Sequence, residues 1–244
     1  MNRVSFLRND SAFLSSALTH KSTSFLLLNA LAPLGHDPSH LEYVSYDDVK
    51  HLFGGNPFSR SEDEMIANYD SSKTTPQLVF LGLDETHRYG FRWRDYHGAP
   101  HFALDITPKG SVASAVESLV TDLKSRGLKF VEGRLNLSLP ASQAAIYGHA
   151  RALLDWNARN PFCAQCGQPT LSINAGTKRT CPPKDMAALA QQSAQMSNVD
   201  QPPSDRPDCA TRKGVSNISF PRVRNFNSAR VPRILTHCRR IRQS

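Results

Sequence analysis

The chain has 244 residues, with 29 Lys+Arg against 21 Asp+Glu and 39% apolar residues. That length accommodates one or two domains and a sizeable core, and a 20% charged fraction excludes a fibrous or wholly disordered chain. No apolar run reaches the roughly 18 residues of a membrane span. The best candidate, Phe25–Leu34, is broken by Asn29 and Pro33, and the start, with Arg3, Arg8 and Asp10, does not read as a signal peptide.

The net charge of +8 suggests an acidic partner, such as nucleic acid or an anionic membrane surface. Its placement weakens that idea. Residues Arg222–Ser244 carry seven Arg and no acid, which leaves 22 basic against 21 acidic residues over 1–221. The body is almost neutral, and the basicity belongs to the tail.

In chain order, residues 1–60 show only short apolar clusters between Ser-rich turns, as expected of one or two short elements among loops. Residues 60–75 read as a polar surface loop. Leu78 to Leu81 form a compact apolar run, as in a buried strand, and strands at 89–94 and 102–106 complete a three-stranded meander with a turn around His97–Pro100. Residues 111–126 predict an amphipathic helix. Val112, Val116, Leu119 and Leu123 share one face, Ser111 caps it, and Gly127 ends it. A strand at 128–131 follows, then a helix from about Pro140 to Arg159 that buries Ile146, Ala150, Leu153 and Trp156 or Asn157. These elements predict an α+β domain.

Four of the five cysteines then cluster as Cys163-x2-Cys166-x14-Cys181-x27-Cys209. A Cys-x-x-Cys turn followed by Gly167 converges two thiolates on one tetrahedral ion, and two more cysteines close the site. Structural zinc is the reading this spacing favours. A disulfide, unlinked thiols and a redox pair are the alternatives. Four sulfur ligands leave no open position, so such a zinc has no catalytic role. The Gln- and Ser-rich residues 184–208 read as a mobile insertion. His36/His40 and His97/His101 are expected to be loop histidines, because Pro38 and Pro100 disfavour helical pairs. Glu117 and Asp122 fall on the solvated face of their helix.

Several words are familiar: Val79-Phe80-Leu81-Gly82-Leu83-Asp84, Phe102–Pro108, Gly148–Trp156, Phe162–Gly167 and Ala210–Arg222. Together they resemble the front half of the NADH pyrophosphatases of the Nudix hydrolase superfamily, nearest the fungal peroxisomal type. The resemblance implies magnesium-dependent cleavage of the NAD(H) diphosphate to nicotinamide mononucleotide and AMP. It also implies a structural zinc held by Cys163, Cys166, Cys181 and Cys209, with no counterpart for Cys238.

In that family a signature Gly-x5-Glu-x7-Arg-Glu-x2-Glu-Glu-x-Gly supplies the carboxylates that hold magnesium. The match runs through Phe220-Pro221-Arg222 and stops. Residues 223–244 contain no Glu, Asp or Gly. No catalytic residue carries over, no cofactor-binding residue is assigned, and the 244 residues alone are expected to be inactive.

The expected organisation is a poorly defined N-terminal region at 1–76 and the α+β part at 77–160. A zinc ribbon at 161–222 and a disordered Arg-rich tail at 223–244 follow. The tail reads either as frame-shifted or intron-derived sequence in place of the Nudix domain, or as a basic amphipathic segment. Family members are homodimers, so a homodimer or a mixed dimer with a full-length relative is the second functional reading. A nucleic-acid-binding ribbon is the weakest. Resemblance points to peroxisome or cytoplasm, although Arg242-Gln243-Ser244 is not a peroxisomal signal.

Overall fold

The computed structural model describes residues 1–86, 90–132 and 138–196 and a two-residue strand at 218–219. The Arg-rich tail, Cys209, Phe220 and Cys238 lie outside the described residues.

A mixed sheet organises the N-terminal domain. Strands β1 (Ser24–Asn29), β2 (Ala32–Gly35), β3 (Tyr43–Val44), β4 (Leu78–Asp84), β5 (Phe91–Trp93), β6 (Tyr96–Asp105) and β7 (Lys129–Phe130) pair in the order β4-β6-β1-β2-β7. Strand β3 adds to β1 and β5 to β6. The β1–β6 pairing is parallel, with Leu26 opposite Ala103, and the other pairs are antiparallel.

Helices cover both faces, so the central strands are apolar on both sides. On one face, α1 (Ser11–Thr19) and α4 (Ala113–Ser125) pack over Phe25, Leu27, Phe80, Phe102 and Leu104. On the other, α5 (Ala141–Arg159) packs over Leu26, Leu28, Val79, Leu81 and Ala103. The α1 start is fixed by Asp10, whose carboxylate accepts from the Phe13 N–H at 3.0 Å.

The outer edge of β4 is fully used. Asn2 exchanges two backbone bonds with Leu83, and a side chain at Gly82 would strike the Asn2 carbonyl. Arg8, only 4% exposed, donates to the Phe80 and Leu81 carbonyls and lies over the Phe80 ring. Ala175, further along the chain, accepts from the Phe80 N–H at 3.1 Å. An edge strand occupied in this way offers no template to a foreign chain.

The sequence-based expectations hold for β4, α5, β7 and the buried positions Val116, Leu119 and Leu123 of α4. Five details differ. Residues 1–60 supply α1, the short α2 (Tyr46–Val49), the central strand β1 and its partners β2 and β3. The meander is replaced by β4–β6 pairing, and β6 begins at Tyr96 because the turn falls at Arg94, whose φ is 53°. His97 and His101 are therefore strand residues, and His101 is buried.

Ser111 is not the cap of α4; it sits in a 3-10 turn over Gly110–Val112 that leads into the helix. The polar stretch after Arg60 contains α3 (Glu62–Ala67), started by a reciprocal pair of bonds between Ser61 and Glu64. The segment 184–208, read as a mobile insertion, contains α6 (Met186–Met196), and its residues 197–208 lie outside the described residues.

Candidate metal centre

Helix α5 hands the chain to a tight knuckle. Phe162 bridges to Pro169, the Cys163 N–H donates to the Gln168 carbonyl, and the Gly167 N–H donates to the Cys163 carbonyl, both at 2.8 Å. Gly167 makes the bend at φ 71°. Strands β8 (Leu171–Ile173) and β9 (Lys178–Thr180) then form a hairpin, and Cys181 follows its second strand directly. The short β10 (Ile218–Ser219) adds to β9, with Ile218 opposite Arg179.

This geometry brings Cys163, Cys166 and Cys181 together, with their sulfurs all within 4.8 Å of one another. Cys166 and Cys181 Sγ stand 3.3 Å apart, well beyond a disulfide bond of about 2.05 Å. Thiolates on one tetrahedral zinc, each about 2.3 Å from the ion, sit roughly 3.8 Å from each other. Three convergent soft donors therefore fit zinc. Burial raises the Cys163 thiol, but the Cys166 and Gln165 backbone N–H groups and the other two thiols outweigh it, and its pKa falls to about 7. The knuckle is built to hold a thiolate. The fourth predicted ligand, Cys209, lies outside the described residues.

The hairpin is docked on the N-terminal domain by contacts the sequence reading did not identify. Arg179, 8% exposed, donates to Thr170 Oγ1 and the Thr170 carbonyl at 2.7 Å each, and to Asn157 Oδ1 at 3.0 Å. Glu62 of α3 accepts from the Asn174 N–H at the hairpin turn, and Gln77 donates to Ser172 Oγ at 3.0 Å. Tyr69 and Asp185 complete the seam through the Met186 and Ser71 N–H groups. The one available signal was Asn157, a polar residue on the buried stripe of α5.

Among the described residues, the Cys trio is the only group of three or more potential ligands close enough to share an ion. Glu117 and Asp122 are exposed. No described helix is long and apolar enough to cross a membrane.

Residues 3–156 match the family described as NADH pyrophosphatase-like rudimentary NUDIX domain, and residues 158–184 match the NADH pyrophosphatase zinc ribbon domain. An NAD-capped RNA hydrolase of Schizosaccharomyces pombe is 27% identical over 228 residues, covering 91% of this chain and 54% of the relative. A Saccharomyces cerevisiae NAD-capped RNA hydrolase is 27% identical over 224 residues, covering 84% of this chain and 55% of the relative. A mitochondrial NAD(P)H pyrophosphatase of Homo sapiens is 28% identical over 175 residues, covering 69% and 43%. The chain spans about half the length of these relatives.

Proposed function

This chain belongs to the NADH pyrophosphatase family of the Nudix superfamily, and from that premise we propose that it is the zinc-bearing, non-catalytic part of an NAD(H) diphosphatase. The parent reaction is magnesium-dependent hydrolysis of the NAD(H) diphosphate to nicotinamide mononucleotide and AMP. The relatives named for hydrolysis of NAD-capped RNA or NAD(P)H support that substrate class.

The observation that carries the reading is the convergence of three thiols at the base of a hairpin docked on a rudimentary NUDIX domain. Cys163, Cys166 and Cys181 hold zinc with Cys209 as the fourth ligand. Zinc in such a sulfur set supplies cross-linking, and no step of hydrolysis passes through it. Arg179 and Asn157 hold the ribbon at a fixed angle to α5. The 244 residues contain no Glu-rich magnesium signature, so they do not turn over NAD(H) by themselves.

Incubation of the purified 244-residue chain with NADH and magnesium, with metal analysis of the same sample, tests both halves. One zinc per chain and no AMP above the buffer rate is the expected result. AMP release at enzymatic rates would overturn the inactivity, and a zinc-free chain would overturn the metal centre.

A further inference from the structure

The three thiols of the metal centre are not equivalent. Cys163 is 5% exposed, and its sulfur accepts from the Gln165 and Cys166 backbone N–H groups inside the knuckle. Cys166 and Cys181 are only half-buried, and their sulfurs stand 3.3 Å apart. One shielded thiol thus sits beside two that a reagent in water can reach, and exposure governs which thiolates react.

The exposed pair is held together by more than a shared ion. The β8–β9 hairpin, the bridge between Phe162 and Pro169 and the Arg179 bonds to Thr170 fix the chain between the two cysteines. The sulfurs are about 1 Å further apart than the roughly 2.05 Å of a disulfide. Little movement therefore separates the pair of thiolates from a covalent bond, and the hairpin that would carry this bond is already closed.

We propose that Cys166 and Cys181 form a site of reversible oxidation, at which a peroxide closes a disulfide between them and expels the zinc; this rests on the trio holding zinc, as proposed above. One thiolate of the pair attacks the peroxide, forming an S–O bond and breaking the O–O bond, and hydroxide leaves. The other thiolate attacks the resulting sulfenic sulfur, forming the S–S bond and breaking the S–O bond, and a second hydroxide leaves. The two sulfurs together give up two electrons, and the two oxygens take up two protons and depart as water. Ligation to zinc slows each thiolate towards reagents without removing its lone pairs, so the loaded chain reacts more slowly than the metal-free one. Once the bond has formed, the ion has lost two of its four ligands and is no longer held. Reduction by a dithiol restores both thiolates, because Cys163 is left unmodified.

Treatment of the full, zinc-loaded 244-residue chain with hydrogen peroxide beside a chromogenic zinc chelator tests it, with a peroxide-free sample as the baseline. Release of one zinc for each disulfide formed is expected, together with loss of the mass of two hydrogens. Peptide mapping after alkylation should find Cys166 joined to Cys181 and Cys163 alkylated, and a dithiol with added zinc should return the loaded chain. Cys163→Ser keeps the reacting pair and should still form the disulfide, whereas Cys181→Ser should not; circular dichroism reports whether each variant is folded. Thiols that stay reduced, zinc retained after the bond forms, or a disulfide that includes Cys163, Cys209 or Cys238 would overturn the proposal and leave the metal centre standing. A chain that metal analysis finds free of zinc after growth with added zinc would overturn the metal centre itself, and this site with it.

Discussion

Arg179 and Asn157 hold the ribbon against α5 without a carboxylate between them. The guanidinium donates to Asn157 Oδ1 at 3.0 Å, and Asn157 Nδ2 donates to the Gly176 carbonyl at 2.8 Å. Burial pushes the Arg179 pKa down, with the Tyr69 phenol opposing it. Asn157→Ala leaves a buried cation and a buried carbonyl short of partners, and should cost about 2–3 kcal/mol in urea unfolding. Arg179→Met removes the buried charge but leaves the Thr170 carbonyl and Asn157 Oδ1 buried without their donor, so it should cost at least as much. An Arg179→Met variant as stable as the parent would contradict this account of the lock.

Two glycines of the ribbon share a left-handed backbone and differ in their surroundings. Gly167 has φ 71° with nothing near its missing side chain. Gly176 has φ 87°, and a methyl there would lie 2.6 Å from Val79 Cγ2 and 2.8 Å from the Leu78 carbonyl. Gly167→Ala should therefore cost only the conformational penalty of about 1 kcal/mol. Gly176→Ala should cost clearly more, because the hairpin has to lift from β4. Thermal unfolding of the two variants side by side gives the comparison.

The β1–β2 hairpin turns through Ala30 and Leu31, with φ 47° and 66°. Turns of this hand favour Asn and Gly at these positions. The conformation is held by Tyr147 and Arg151 of α5, which donate to the Leu31 carbonyl at 2.9 and 2.7 Å. Ala30→Asn should stabilise the domain by about 0.5 kcal/mol, since Ala30 is exposed and Asn tolerates the left-handed region. A lower melting temperature in that variant would count against strain at this turn.

Glu62 sets a pH response at the seam. Burial raises its pKa, and the Asn174 N–H and Lys178 only partly oppose that effect. The folded chain thus binds this proton more tightly than the unfolded one. The contribution is fully present below the ordinary glutamate pKa of about 4.3 and is lost as pH rises through the elevated value. Glu62→Gln keeps an oxygen for Asn174 and removes the half-buried charge. It should raise the unfolding midpoint at neutral pH and flatten the pH profile just above the ordinary carboxylate range. An unchanged profile would show that Glu62 is not the group responsible.

The metal reading makes a chemical prediction about the thiols. In the zinc-loaded chain Cys163, Cys166 and Cys181 should resist a thiol reagent, and a strong chelator should release them together. Cys166→Ser and Cys181→Ser should each lose most of the bound zinc. Independent reaction of the three thiols at unrelated rates, with or without chelator, would argue against a shared ion.

The legible parts of the sequence were those whose signal is local. The stripe Val116, Leu119, Leu123 identifies α4, and the Cys-x2-Cys-Gly word marks the knuckle, because both are short-range patterns. Phe25 to Leu28 was opaque for a physical reason. Four apolar residues suit a buried strand or a piece of buried helix equally, and β1 is settled only by its parallel partner β6, over 70 residues away. The Ser61–Glu64 capping pair was visible but sits in a polar stretch without an apolar stripe. The ribbon's docking contacts were unreadable because Arg179, Asn157 and Glu62 acquire their roles only when the hairpin meets α3 and α5.

The parallel placement of β1 has a consequence for biosynthesis. During synthesis from the N-terminus, Leu26 is made long before Ala103, the residue it lies opposite. Until β6 leaves the ribosome, one edge of an almost wholly apolar strand has no mate, and closing that long loop is slow. Nascent chains ending before about residue 100 should therefore depend on chaperones, and those carried past β6 should become protease-resistant in a single step.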